Sequence, residues 1–168
     1  MNTWMENVLL RMDAQAEKMG DPMACLELAN LYREERPLSA LAFGLKAKRI
    51  GDPNTEISPL EAAVERLRRS DWEKDVAGCY YLGLELGSYG DSGELKKAIG
   101  FLETVAESKD EDFAGRAAFQ LAELLSSVAV KDAHYRQLAY QYYAAARKQG
   151  YYDILCFDKT VLVEEEVA

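Results

Sequence analysis

Two tripeptides, Gly20-Asp21-Pro22 and Gly51-Asp52-Pro53, stand 31 residues apart, and each carries the punctuation that ends one helix and starts another. Glycine accepts the left-handed conformation that closes a helix, aspartate accepts hydrogen bonds from the free N–H groups of a new first turn, and proline fits the first helical position. Around these marks one side-chain pattern returns three times. Ala24, Leu28, Ala29 and Tyr32 have the spacing i, i+4, i+5, i+8, as do Gly78, Leu82, Gly83 and Leu86, and again Ala117, Leu121, Ala122 and Leu125. That spacing is one face of a helix. Small residues hold the first and third places, which lets a neighbouring helix backbone come close. A chain marked in this way is an internal repeat of short helices.

A second pattern follows these stripes. Phe43 lies eight residues before Gly51, and Tyr142 eight before Gly150. Phe101 lies eight before Lys109, where the glycine is replaced but the following Asp110 is kept, and Met12 lies eight before Gly20. A large side chain in the middle of the second helix of each pair, Tyr142 in the last, is placed to fill the gap between adjacent pairs.

Taken together, the spacing Ala-x3-Leu-Ala/Gly-x2-Tyr/Leu, then Ala-x2-aromatic, then Gly-Asp/Tyr resembles the Sel-one-like repeat, a relative of the tetratricopeptide repeat. Met19 to Tyr32 (MGDPMACLELANLY) is the best first-helix match and Ala139 to Gly150 (AYQYYAAARKQG) the best second-helix match. The matching stretches cover most of residues 12–151. The resemblance implies a right-handed α-solenoid of stacked antiparallel helix pairs whose groove or edges bind protein partners. The repeats are worn: equivalent leucines are 54 residues apart from Leu28 to Leu82 and 39 apart from Leu82 to Leu121. The excess is Asn54 to Ser70, an irregular segment in which Ser58, Pro59 and Glu61 read as a capping box opening a helix from Pro59 to Arg69.

The expectation is therefore an all-α fold, a single repeat domain over residues 1–168 with about eight helices: 2–19, 22–35, 38–50, 59–69, 72–88, 93–108, 112–128 and 133–149. A short tail, 151–168, follows and caps the last pair, with Glu164-Glu165-Glu166 solvated. Composition agrees, since Ala, Leu, Glu and Lys are abundant, prolines number four, and only Val161 to Val163 has the look of a strand. Such pairs cannot bury their apolar faces alone, and stacking supplies the stability.

The 20 basic and 29 acidic residues give a net charge of −9. Nucleic-acid affinity comes from clustered Lys and Arg, and the one tight cluster, Arg66, Arg68 and Arg69, is interleaved with Glu65, Asp71 and Glu73; it reads as a solvated helix end. No nucleic-acid or membrane partner is expected, because no stretch approaches the roughly 18 apolar residues of a membrane span. The N-terminal residues Met1 to Arg11 lack a signal-peptide core. Cys25, Cys79 and Cys156 are far apart and read as small buried thiols in a reducing cytoplasm.

Catalytic constellations do not emerge. His134 is the one histidine and has no neighbouring ligand residues, so no metal or cofactor is expected. No Gly-x-Ser-x-Gly motif occurs. Gly83, Gly87, Gly90 and Gly93 lack the preceding strand and the Lys-Ser/Thr of a phosphate loop. Glu34-Glu35 and Asp110-Glu111-Asp112 lie at helix ends, the second where negative charge favours a helix N-terminus. The chain reads as a non-enzyme.

What remains is surface. Beside the core stripes of the first helices stand Glu27, Asn30, Tyr81, Glu85, Tyr89, Gln120 and Glu123, an acidic strip with aromatic interruptions that suits a basic or mixed partner segment. Tyr140 joins them from the tyrosine-rich last pair, tyrosine being enriched at interfaces. The expected function is binding a partner protein as adaptor, regulator or inhibitor, a form that includes a bacterial immunity protein neutralising a cognate toxin. The alternative is an assembly protein that self-associates through its repeats; a monomer is favoured. The departures from the regular repeat, Asn54 to Ser70 and the last pair, are the places to look for specificity.

Overall fold

A computed structural model describes residues 21–89, 92–128 and 133–150. Among these the chain forms eight helices and no strand: α1 (Pro22–Tyr32), α2 (Pro37–Ile50), α3 (Ser58–Glu65), α4 (Arg69–Trp72), α5 (Val76–Ser88), α6 (Ser92–Ala106), α7 (Ala114–Val128) and α8 (Ala133–Lys148). The expected helix 2–19, the tail 151–168 with Val161 to Val163, and Cys156 lie outside the described residues. The protein divides into two compact units at the Thr104–Val105 bond.

Local chemistry explains each start. Asp21 caps α1, its Oδ1 accepting from the N–H groups of Met23 and Ala24 at 3.1 and 3.2 Å. Arg36, held out of the helical region before Pro37 at φ −140° and ψ 70°, separates α1 from α2. Asp75 caps α5 by accepting from the Gly78 N–H at 3.1 Å. Asp110 accepts from the N–H groups of Asp112 and Phe113, both at 3.0 Å, so α7 starts just beyond them.

Several sequence expectations are corrected. The helix expected over 59–69 stops at Glu65, because the Arg68 N–H turns to the Asp71 carboxylate at 2.9 Å instead of the helix ladder. Ser58 and Glu61 form no capping box. Ile57 holds the N-cap place without a side-chain bond, and the Ser58 N–H goes to Glu56 Oε1. The helix expected over 72–88 begins at Val76. Asp52 starts a turn rather than a helix, accepting from the Asn54 N–H at 2.9 Å.

Gly51 closes α2 with φ −123°, not in the left-handed region. Its glycine identity answers another need: a Cβ there would lie 2.5 Å from Pro22 Cβ and 2.9 Å from the Ala47 carbonyl oxygen. The two tripeptides therefore meet in space, glycine against proline. Gly150 is left-handed at φ +79° after α8.

In the first unit α2 is the central helix. Every residue from Leu38 to Ala47 is buried, because α1, α3 and α5 all pack against it. Cys25 of α1 meets Ala47. Ser39 donates to Asp75 Oδ2 at 2.8 Å, and Arg49 pairs with Glu85. Both links join residues 36 positions apart, so α2 and α5 run side by side in the same direction. The stripe Gly78, Leu82, Gly83 and Leu86 is buried throughout, and Gly83 receives Leu102 of α6, whose Cγ would lie 2.7 Å from a Cβ at that glycine. On α1 the buried face is Cys25, Ala29 and Tyr32, with Ala24 and Leu28 half-buried.

The second unit is built on α7 packed against α8. Ala117, Leu121, Ala122 and Leu125 have no exposed surface. On α8 the buried aromatic is Tyr143, not Tyr142. The Tyr143 ring stands edge-on to Phe119 at 6.2 Å, and Ser126 Oγ lies 3.4 Å from its hydroxyl. One residue turns a helix by about 100°, enough to move the aromatic position from Tyr142 to its neighbour.

Candidate functional site

The first unit holds an open apolar groove of about 520 Å³. Five helices, α2 to α6, contribute to it. Helix α2 offers Leu41, Leu45 and Lys48 from one face, and α5 offers Leu86 and Tyr89 from its last turn. The irregular segment supplies another wall, with Ile57, Glu61, Val64, Glu65 and Leu67. Helix α3 comes down close onto α2 because Gly44 has no side chain: a Cβ there would meet Leu60 Cδ1 at 2.5 Å. Helix α6 completes the lining with Glu94, Lys96, Lys97, Gly100 and Phe101.

Trp72, in the short α4, also lines the groove and stacks at a tilt on Phe101, ring centres 4.4 Å apart. The Arg69 guanidinium lies 5.3 Å from its ring centre, a cation–π contact. The indole Nε1 is buried and has no hydrogen-bond partner in the described structure. Tyr89 donates its hydroxyl to the Leu45 carbonyl at 3.2 Å, tying the end of α5 to α2. Burial, and then the nearby Glu85 carboxylate, push its phenol above the ordinary value. Gly100 sets the depth: no atom lies within 4 Å of where its Cβ would be.

The rim is charged and uneven. Helix α3 contributes two carboxylates one turn apart, Glu61 and Glu65, and neither has an ion-pair partner among the described residues. Helices α2 and α6 contribute Lys48, Lys96 and Lys97. Of the two α6 lysines, Lys97 is paired, to Glu94 at 3.9 Å.

The eight residues singled out in the sequence fall in different settings. Glu27 and Asn30 are exposed on α1. Tyr81 is buried, its ring edge-on to Tyr80 at 5.2 Å. Glu85 is buried and takes Arg49 through both carboxylate oxygens, so it offers no free charge. Tyr89 is the one of the eight that lines the groove. Gln120 and Glu123 on α7 and Tyr140 on α8 belong to the second unit and are half-buried there. The groove residues that sequence reasoning missed are mainly apolar: Leu41, Leu45, Val64, Leu67, Trp72 and Phe101. Their signal was the irregular segment 54–70, which forms a wall of the groove.

The two described thiols, Cys25 and Cys79, are buried and unbridged, and burial raises both above the ordinary thiol value. His134 is exposed beside Tyr135. Among the described residues no group of three or more His, Cys, Asp or Glu is placed to hold a metal ion, and no helix is long and apolar enough to cross a membrane. No family model, curated protein or solved structure matches the chain.

Proposed function

We propose that this protein is a non-catalytic binding module that acts by occupying a partner protein, as adaptor, regulator or inhibitor. The observation that carries this reading is the open groove: about 520 Å³ of mostly aliphatic and aromatic lining, rimmed by charge, is the form of a recognition site. The groove is built on worn repeats of Sel-one-like type, stacked as a right-handed solenoid of antiparallel helix pairs. The packing of α1 on α2 and of α7 on α8, each pair consecutive in sequence and joined by a short connection, supports paired helices of that kind. The net charge of −9 suits the inhibitor role best, an immunity protein seated on a basic cognate toxin in the cytoplasm being its most specific form.

Gly100 gives the decisive variant. Gly100 lines the groove and a Cβ there meets no atom within 4 Å, so a leucine adds an apolar side chain to the lining. Tagged wild-type protein and Gly100→Leu, both checked by circular dichroism, are incubated with extract of the source cells. The reading requires a protein retained by the wild type and lost with Gly100→Leu. Equal retention by both, or none by either, overturns it.

A further inference from the structure

We infer that the groove takes an amphipathic α-helix whose apolar stripe is bordered by basic residues along one edge and acidic residues along the other; this rests on the reading of the protein as a binding module. The groove is open, about 520 Å³, and lined mainly by apolar side chains. A helix fills such a trough with anchors at i, i+3, i+4 and i+7, and the lining is set out at the same period, with Leu41, Leu45 and Lys48 along α2.

The rim chooses among occupants. An apolar tail with one charged headgroup needs a single sign of charge, whereas this groove presents both on different helices: Glu61 and Glu65 on α3 and Lys96 on α6, none with an ion-pair partner among the described residues, while Lys48 on α2 already acts on the Glu56 carboxylate. Covering the groove with an uncharged segment would strip water from these groups and return nothing. A helix with Lys or Arg one turn apart toward Glu61 and Glu65, and Asp or Glu toward Lys96, satisfies both walls. Like charges against either wall are penalised, so the rim selects as well as attracts.

The chain has two tryptophans, Trp4 and Trp72. Trp4→Phe therefore leaves an indole in the groove as the sole reporter. Three synthetic 16-residue helices share one leucine stripe and differ in their edges: Lys on one and Glu on the other, Lys on both, or Glu on both. The mixed-edge helix should shift Trp72 emission saturably, with the single-sign helices bound roughly tenfold more weakly. Lys96→Glu with Lys97→Glu should move the preference to the all-Lys helix. Glu61→Lys with Glu65→Lys should move it to the all-Glu helix. All four positions are at the surface, so the variants keep the fold, which far-ultraviolet circular dichroism checks.

Absence of any saturable shift, a preference indifferent to edge charge, or preferences unmoved by the rim reversals each overturn the inference. So does a saturable shift with dodecanoate where no peptide gives one. If these peptides fail while a partner is still captured in a Gly100-dependent way, the helix is overturned and the binding function stands.

Discussion

Arg49 donates from Nε and Nη2 to the two carboxylate oxygens of Glu85, each at 2.9 Å, and so fastens the end of α2 to α5. Glu85 is buried, while the Arg49 side chain is 41% exposed. The pair is unequal: the carboxylate depends on the guanidinium for its solvation more than the reverse. Arg49→Ala should lower unfolding free energy by about 1–3 kcal/mol, below the 3–5 of a fully buried pair because water reaches one side. Arg49→Lys should restore less than half of that, since an ammonium cannot match both oxygens at once. Urea unfolding of the two variants against wild type measures it. A charge reversal at Glu85 would report on this fastening before it reported on any partner.

How far the sequence carried the fold follows from which interactions are local. Caps and stripes are local, and Asp21, Leu82, Leu121 and Leu125 do as their neighbours in sequence dictate. Two errors came from competing local bonds: Asp71 took the Arg68 N–H and ended a helix early, and Glu56 took the Ser58 N–H and displaced a cap. Tyr142 lost its expected core place to Tyr143 because a helix face is resolved only to within one residue. The groove needed pieces of five separate stretches, and Trp72 came from what read as the start of a longer helix. Polar residues beside a stripe looked free in sequence. Glu85 was not, because its partner is 36 residues away on another helix.

Gly78 sits under the buried cap of α5. A Cβ there would press on the Asp75 carboxylate and lie 2.8 Å from Ser39 Oγ. The methyl would displace both the cap and the Ser39–Asp75 hydrogen bond that joins α2 to α5. Gly78→Ala should therefore destabilise by about 1–3 kcal/mol, overpacking and cap loss outweighing the better helix propensity of alanine. A rise in thermal midpoint would contradict the account.

Gly100 should behave in the opposite way. It is also helical, but a Cβ there meets no atom within 4 Å. Gly100→Ala should raise stability by roughly 0.5–1 kcal/mol, from reduced freedom of the unfolded chain and better helix propensity alone. Chemical unfolding of the two alanine variants side by side checks the contrast, and a loss at Gly100 would mean that the groove is narrower than described.

Cys79 is buried with no exposed surface, and its Sγ donates to the Trp72 carbonyl at 3.3 Å. Burial pushes the thiol far above its ordinary value of 9.0, with the Asp75 carboxylate adding to the effect. A raised folded value means that stability is intact below the unfolded thiol's value and is lost as pH rises past it, because the unfolded chain ionises while the folded one cannot. Between pH 8 and 10.5 this one group should cost about 2 kcal/mol. Cys79→Ala will start from a lower stability, having lost packing and the sulfur's hydrogen bond, but should lose less of it over that interval. Comparing the pH slopes of wild type and variant removes the shared contribution of Tyr89, whose phenol is raised in the same direction. Identical slopes would show that the Cys79 thiolate is accommodated in the fold. In a Cys156→Ser background, Ellman's reagent should find neither remaining thiol in native protein and two after denaturation, as the burial of Cys25 and Cys79 requires.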